Sequence, residues 1–184
     1  FGERFGYPIE EADGTFCSGG AETNHTALLT ALVHSFPDFD KSGARALPSE
    51  PVFDVSSQSH HSFLKATRLC GLGTDAVREV EVDEDSAMSV ESLASTIRRD
   101  REKGFLPFMV VGTAGTTSGG VIDPLRAIAE IALDERLWFH VDAAWGGAAV
   151  LVPELRGFLD GITMADSITF DAHKWLSVPM AAGL

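Results

Sequence analysis

Apolar and polar positions alternate along this chain with two different periods. Five short apolar or β-prone segments are typical of strands, and they lie at residues 51–55, 76–82, 107–111, 137–141 and 168–170. The segment at 107–111 is apolar throughout, as expected of a strand that is covered on both faces. Between the segments, apolar residues recur three or four positions apart, which predicts helices with one buried face.

The ends of these helices carry recognisable signals. The first helix is predicted to follow Gly20, and the second to end near Leu69, before the Gly71-Leu-Gly73 stop signal. Ser89 is predicted to cap the third helix, and Asp123 to cap the fourth with Pro124 in its first turn. The expected buried faces are Ala27, Leu28, Ala31 and Leu32; Val90, Leu93, Ala94 and Ile97; and Leu125, Ile128, Ala129 and Ala132. Alternating strands and helices predict an α/β fold with a mostly parallel sheet flanked by helices.

The length and the net charge of the chain limit the classes of protein to which it can belong. A chain of 184 residues is long enough for one domain with a sizeable core, with an irregular lead-in at 1–14 and a surface excursion at 36–50. A net charge of −13 argues against nucleic-acid and anionic-membrane partners, because no basic stripe offsets it. Neither a membrane-spanning run nor a signal peptide is visible, and Cys17 and Cys70 match no finger or disulfide spacing. A cytoplasmic location is expected.

The segment 167–175 holds the most reactive set of side chains. A short β-prone run opens into a turn that presents Asp171, His173 and Lys174 together. Burial and a neighbouring cation can make a lysine amine nucleophilic, which suits Schiff-base chemistry. An isolated lysine after a strand is more often a surface residue, so the other motifs have to support this interpretation.

Other chemically distinctive residues follow other predicted strands. His60, Thr113, Asp142 and Lys174 each come after a different strand, and Gly20 opens a helix. Ligands of parallel sheets bind at the carboxyl ends of the strands, and helix N-termini bind phosphate. A phosphate site, a histidine, a carboxylate and an amine at one edge together predict a site for pyridoxal 5'-phosphate (PLP).

Three other chemistries are not favoured. His140 and Asp142 resemble a metal-ligand pair, but no third ligand is nearby, so zinc is not expected. The Gly-x-Ser-x-Gly motif of serine hydrolases is absent, and so is the Walker-type phosphate-binding loop of nucleoside triphosphatases.

Five segments in order resemble the group II PLP-dependent amino acid decarboxylases, which have the fold type I (aspartate aminotransferase-like) architecture. They cover most of the chain, from about residue 14 onward, and they are CSGGAETNHTAL, SSQSHHS, GTAGTTSGGVIDP, HVDAAWGG and SITFDAHKWLSVP. The resemblance implies PLP-dependent decarboxylation of an L-amino acid to the amine and carbon dioxide. It leaves open another fold type I enzyme, either an aminotransferase or a carbon–carbon lyase, and a non-catalytic subunit that acts in assembly.

The resemblance also implies roles for individual residues. Lys174 would be the Schiff-base lysine, and Asp142 would pair with the protonated pyridine nitrogen, which turns the ring into an electron sink. His60 would stack on the ring. Gly20 and Ala21 would offer backbone N–H groups to the phosphate.

The remaining implied contacts lie around the ring and the phosphate. Thr113 would lie beside the ring and Ala144 against its face, with His173 and Asp171 near the phosphate. Asp171 is unusual there, because two anions repel, so we expect it to turn away or to pair with a cation.

A further position departs from the common family pattern, and three aromatic residues near the motifs are given no role in the chemistry. Ala21 stands where a serine is frequent, so a hydroxyl contact to the phosphate would be lost. His61 is interpreted as a flanking residue, and Trp145 and Trp175 as packing aromatics.

The resemblance implies, finally, how the chain would be organised. Residues 1–184 would form part of the PLP-binding large domain, without an N-terminal segment and the C-terminal small domain. A homodimer is expected, with the missing segments possible on a complementary chain. The substrate side chain is not specified by these residues.

Overall fold

The computed structural model describes residues 1–10 and 12–184 and contains a five-stranded parallel sheet. The strands run in the spatial order β2-β1-β3-β4-β5. Their bounds are β1 (Pro51–Ser56), β2 (Val77–Val80), β3 (Leu106–Thr113), β4 (Trp138–Asp142) and β5 (Ser167–Thr169). The predicted α/β class and the parallel sheet are confirmed.

Helices cover both faces of the sheet. They are α1 (Gly20–Ser35), α2 (Phe39–Ser42), α3 (Ser62–Leu69), α4 (Val90–Glu102), α5 (Leu125–Glu135) and α6 (Ala172–Trp175). Short 3-10 segments occupy Gly2–Phe5, Gly43–Ala46, Thr74–Ala76, Gly146–Leu151, Pro153–Leu159 and Ile162–Met164. Helices α1 and α3 lie on one face, and α4 and α5 on the other.

The period of two along each strand divides the core between these faces. In β3, Met109 and Val111 pack towards α1 and α3, whereas Val110 packs towards α4 and α5. In β4, Phe139 and Val141 point towards α5, which leaves the polar His140 and Asp142 on the α1 face. The sheet therefore presents buried polar groups to one helix, α1.

Most predicted boundaries differ from the observed ones by one to three residues. The strand predicted at 76–82 ends at Val80, because Val82 pairs with Met88 across a turn. That turn is held by Asp83, whose carboxylate accepts from the backbone of Asp85 and Ala87. Ser89 caps α4 as predicted, accepting a hydrogen bond from the Ser92 N–H at 3.2 Å.

Several sequence predictions were wrong. Asp123 does not cap α5, because its carboxylate accepts from the buried N–H groups of Met88 at 2.7 Å and Thr113 at 2.8 Å. Burial raises the pKa of this carboxyl group. Ala94 is exposed, since the buried face of α4 runs through Leu93, Thr96, Ile97 and Asp100.

The two segments predicted to be irregular also contribute to the core. The lead-in buries Phe5, whose ring lies 5.9 Å from that of Phe170. The surface excursion contains α2, which buries Phe39. Within the described residues, no helix has both the length and the apolarity needed to cross a membrane.

Candidate active site

A cavity of about 190 Å³ lies at the carboxyl edge of the sheet. It is reached by the residues that follow β1, β3, β4 and β5, and by the first turn of α1. Its lining consists of Gly20, Ala21, Asn24, His60, Thr113, Gly115, Thr117, Asp142, Ala144, Trp145, Asp171 and Lys174. Eight of the nine residues predicted for the cofactor site are in this set.

His173 is the one predicted site residue that does not line the cavity. Its ring lies against Gly19, and its Nδ1 is 3.2 Å from the carbonyl oxygen of Ala182. Its Nε2 is 3.8 Å from Asp171 Oδ2, so this ring lies behind the Asp171 carboxylate. The α6 helix turns adjacent side chains about 100° apart, which separates His173 from Lys174.

Asp142 occupies the last position of β4 and is 5% exposed. Its Oδ2 accepts a hydrogen bond from Asn24 Nδ2 at 2.8 Å, and its Oδ1 accepts from the Ala144 N–H at 3.1 Å. Asp142 pairs in register with Thr113 on β3. Two donors, one from a side chain and one from the backbone, therefore hold the carboxylate in one orientation.

Lys174 lies in α6, at the edge of the cavity. Its side chain is 35% exposed, and its Nζ is 3.3 Å from Asp171 Oδ2. The amine therefore has an anion as a charged neighbour and is not fully buried, contrary to the reasoning from sequence. The expectation that Asp171 pairs with a cation is met by this contact.

Asp171 and Gly20 form the tightest part of the cavity. Asp171 is 2% exposed, and its Oδ1 is buried without a hydrogen-bond partner among the described residues. A Cβ on Gly20 would lie 2.8 Å from Asp171 Oδ2 and 3.3 Å from Ala144 Cβ. Gly19, with φ 151° and ψ 172°, adopts a conformation essentially restricted to glycine and opens α1 without a side-chain cap from the described residues. The N-terminus of α1 thus faces the cavity with its backbone exposed to a ligand.

His60 and Thr113 also line the cavity. The His60 Nδ1 accepts from the Ser62 N–H at 3.2 Å, so the proton of the neutral ring is on Nε2. Thr113 is buried, and its hydroxyl is 3.2 Å from the hydroxyl of Ser59. His60 itself is exposed, which leaves its ring free to stack on a ligand. His61 flanks the site, outside the cavity lining, at the N-cap of α3.

Four lining residues were missed by the sequence reasoning: Asn24, Gly115, Thr117 and Trp145. Asn24 had a visible signal, since it is a polar residue on the predicted apolar face of α1 together with Ala27 and Leu28. Trp145 does pack against Trp175, with ring centroids 5.0 Å apart. Trp145 is also 43% exposed and borders the cavity.

The residues present fit the predicted cofactor. The N-terminus of α1, where Gly20 has no room for a Cβ, suits a phosphate. The Lys174 amine and the hydrogen-bonded Asp142 carboxylate line the same cavity. A parallel α/β sheet with this set of groups at its carboxyl edge is the arrangement expected of a PLP-binding domain.

The comparisons with known proteins identify the family. Residues 2–184 match the pyridoxal-dependent decarboxylase conserved domain. The chain belongs to this family, and the resemblance and the cofactor inferred from sequence are confirmed at the level of the family.

Individual relatives agree with this assignment. Cysteine sulfinic acid decarboxylase from Mus musculus is 45% identical over 172 residues, which are 94% of this chain and 34% of the relative. Aspartate 1-decarboxylase from Aliivibrio fischeri is 39% identical over 196 aligned positions, which cover 100% of this chain and 36% of that protein. The crystal structure of mouse CSAD superposes with a TM-score of 0.95 and 40% identity, covering 98% of this chain and 37% of that one. The chain spans about a third of the length of these relatives.

Proposed function

We propose that this chain carries the cofactor site of an enzyme that decarboxylates an L-amino acid to the corresponding amine. The observation that carries the proposal is that Lys174 and Asp142 line one cavity, together with the N-terminus of α1. When bound, PLP would supply an electron-withdrawing pyridinium ring that accepts the electron pair left by the departing carboxylate.

Each side of the cavity would have a separate task. Lys174 is the amine that would hold the cofactor covalently, and Asp142 would keep a proton on the ring nitrogen. Gly20 and Ala21 would donate backbone N–H groups to the phosphate. His60 would stack on the ring with its exposed face.

The other lining residues would shape and stabilise the site. Thr113 and Ala144 would bound the ring at its edge and face. Asp171 would hold Lys174 through their 3.3 Å contact. His173, which lies behind Asp171, would act on the phosphate only through that carboxylate.

Replacing the amine tests the proposal. The protein, expressed with whatever residues naturally flank positions 1–184 and loaded with PLP, should show the absorbance of lysine-bound cofactor near the visible edge. Lys174→Ala should remove this absorbance and the release of carbon dioxide from candidate amino acids. Lys65→Ala, at an exposed position of α3, is the matched control and should retain both. Retention of absorbance and turnover in Lys174→Ala would refute the assignment.

The products separate the alternatives. Carbon dioxide and an amine indicate a decarboxylase, whereas a keto acid indicates an aminotransferase, and side-chain cleavage indicates a carbon–carbon lyase. Absence of lysine-bound PLP in the naturally flanked protein would favour a role in assembly alone. Acidic amino acids come first in the substrate panel, since two relatives are named for cysteine sulfinic acid and aspartate.

The proposal extends to assembly. We propose a homodimer in which residues 1–184 are part of the large domain, completed by an N-terminal segment and a C-terminal small domain. Exposed apolar side chains support an interface, with Trp145 in the cavity lining 43% exposed, Trp175 packed against it 54% exposed, and Met180 85% exposed. Sedimentation would give the oligomeric state, and intact mass would reveal a complementary chain.

We also propose a cytoplasmic location. Cys17 and Cys70 are both free, as is usual in a reducing compartment. Fractionation of cells would test this location.

A further inference from the structure

A buried polar network lies between α1 and the sheet, behind the cavity. Its central members are Asn24 at 1% exposure, and His140 and Thr169 at 0%. None of these three has a role in the proposed function, and polar groups buried this deeply are costly unless their hydrogen bonds are satisfied.

The Asn24 amide is held in one orientation. Its Nδ2 donates to Asp142 Oδ2 at 2.8 Å and to Ser62 Oγ at 2.9 Å. Its Oδ1 accepts from the Thr169 hydroxyl at 2.7 Å. The flipped amide would place its oxygen against the Asp142 carboxylate, two acceptors in contact, so the observed orientation is the stable one.

The same contacts assign the proton on His140. The His140 Nε2 faces two oxygens, Asn24 Oδ1 and Thr169 Oγ1, each at 3.3 Å. The Thr169 proton is already donated to Asn24, so neither oxygen can donate to Nε2, and Nε2 carries the proton. Burial lowers the pKa of His140 to about 4, so the ring is neutral near pH 7 and its Nδ1 is an acceptor.

The network then runs in one direction. Trp138 Nε1 donates to Ser167 Oγ at 2.8 Å, and the Ser167 hydroxyl donates to His140 Nδ1 at 2.8 Å. The indole can only donate, so Ser167 accepts from it, and the unprotonated Nδ1 of His140 then fixes the Ser167 hydroxyl as the donor of the next bond. The chain of donors ends at the Asp142 carboxylate, through Asn24.

We propose that Asn24 is a positioning residue that holds the Asp142 carboxylate in one orientation, with Trp138, Ser167 and His140 fixing the Asn24 amide. This inference rests on the proposed function, in which Asp142 keeps a proton on the cofactor ring. Loss of the Asn24 donor makes the carboxylate more basic. The shared proton then moves from the ring nitrogen towards Asp142, and the ring loses its positive charge.

Asn24→Leu, which has nearly the same shape without the donor, tests the inference in the PLP-loaded, naturally flanked protein. The first measurement is the chemical shift of the isotope-labelled ring nitrogen in the absence of substrate. We expect it to move from the pyridinium value in the parent towards neutral pyridine in the variant. The second is the pH profile of kcat, whose acid limb should move up by about one pH unit, with kcat at least about tenfold lower and KM little changed.

Two further variants separate positioning from general damage. Thr169→Val removes the donor to Asn24 Oδ1 and should give a smaller change in the same direction, which decides the question if Asn24→Leu does not fold. Thr67→Val is the control, because this buried hydroxyl on α3 donates to the Leu64 carbonyl at 3.1 Å, outside the network. It should leave the nitrogen shift and the pH profile unchanged.

The outcomes also separate this inference from the proposed function. A parent protein without lysine-bound PLP would refute the proposed function itself. If the parent does hold lysine-bound PLP, but Asn24→Leu and Thr169→Val both keep the nitrogen shift and the pH profile of the parent, the positioning role alone is overturned.

Discussion

Asp54 provides the strongest test of the energetics of this fold. It lies within β1, is 1% exposed, and neither of its carboxylate oxygens has a hydrogen-bond partner among the described residues. Burial raises its pKa to about 8, and the negative charge of Asp100 adds to the effect. Arg78 and Arg99 oppose the shift, but Arg78 is already paired with Asp100 at 2.7 Å. Asp54 is therefore protonated in the folded protein at neutral pH.

The free energy of unfolding should fall as pH rises because of this group. An unfolded aspartate has a pKa of about 3.9, so between about pH 4 and pH 8 the folded state binds one more proton than the unfolded state. Stability then decreases by about 1.4 kcal/mol per pH unit, which amounts to about 4 kcal/mol at pH 7. Below about pH 4 both states are protonated, and the contribution disappears.

His140 contributes a slope of the opposite sign. Its folded pKa of about 4 is below the unfolded value, so the unfolded state binds more protons at acidic pH. Its contribution to stability rises with pH between about 4 and 6.5 and is complete above that range. Between about pH 4 and 6.5 the contributions of His140 and Asp54 to the free energy of unfolding change in opposite directions and offset each other. Only above about pH 6.5 should the decrease in stability caused by Asp54 be seen alone.

Asp54→Asn keeps the shape of the protonated side chain and removes its ionisation. Urea unfolding of parent and variant should show that the variant gains about 1–2 kcal/mol at pH 5 and about 4 kcal/mol at pH 7. Asp40→Asn, at an exposed position of α2, is the control and should show no such growth with pH. A difference between parent and Asp54→Asn that stays constant from pH 5 to pH 8 would contradict the reasoning.

Three other substitutions have definite expected outcomes. Gly20→Ala should weaken PLP binding by about tenfold or more in a spectroscopic titration, because the added Cβ meets Asp171 at 2.8 Å. Gly14→Ala, where a Cβ meets nothing within 4 Å, should bind PLP like the parent. Asp142→Ala should retain bound PLP but lose nearly all carbon dioxide release, and full activity would refute the electron-sink role. Gly112→Ala should lower the free energy of unfolding by about 1–3 kcal/mol in a urea titration, because its Cβ would lie 2.8 Å from Leu125 Cδ2 in the packed core.

The parts of the site that could be predicted from the sequence depend on the sheet. Parallel strands with apolar runs bring their carboxyl ends to one edge, so residues that follow different strands meet whatever the loops do. His60, Thr113, Asp142 and Lys174 all reach the cavity for this reason. Gly20 reaches it because α1 begins at the same edge.

The parts that could not be predicted depend on partners that are distant in sequence. Asp123 precedes a proline, which locally indicates a helix cap, but two buried N–H groups 35 and 10 residues away compete for its carboxylate. The contact of Asn24 with Asp142 spans 118 residues. No local pattern reports which of several polar groups a buried side chain will satisfy.

Asp54 and Asp142 are two buried carboxylates that differ in the hydrogen-bond donors that reach them. Both carboxylates lie on strands of one sheet, Asp54 on β1 and Asp142 on β4 with β3 between them, and both are at most 5% exposed. Asp142 receives hydrogen bonds from Asn24 and from the Ala144 backbone, whereas Asp54 receives none from the described residues. Burial alone makes a carboxylate hold its proton, and donors reverse that tendency. The two sites therefore differ in the donors that the fold brings to the carboxylate, and at Asp142 the side-chain donor is Asn24, supplied by α1.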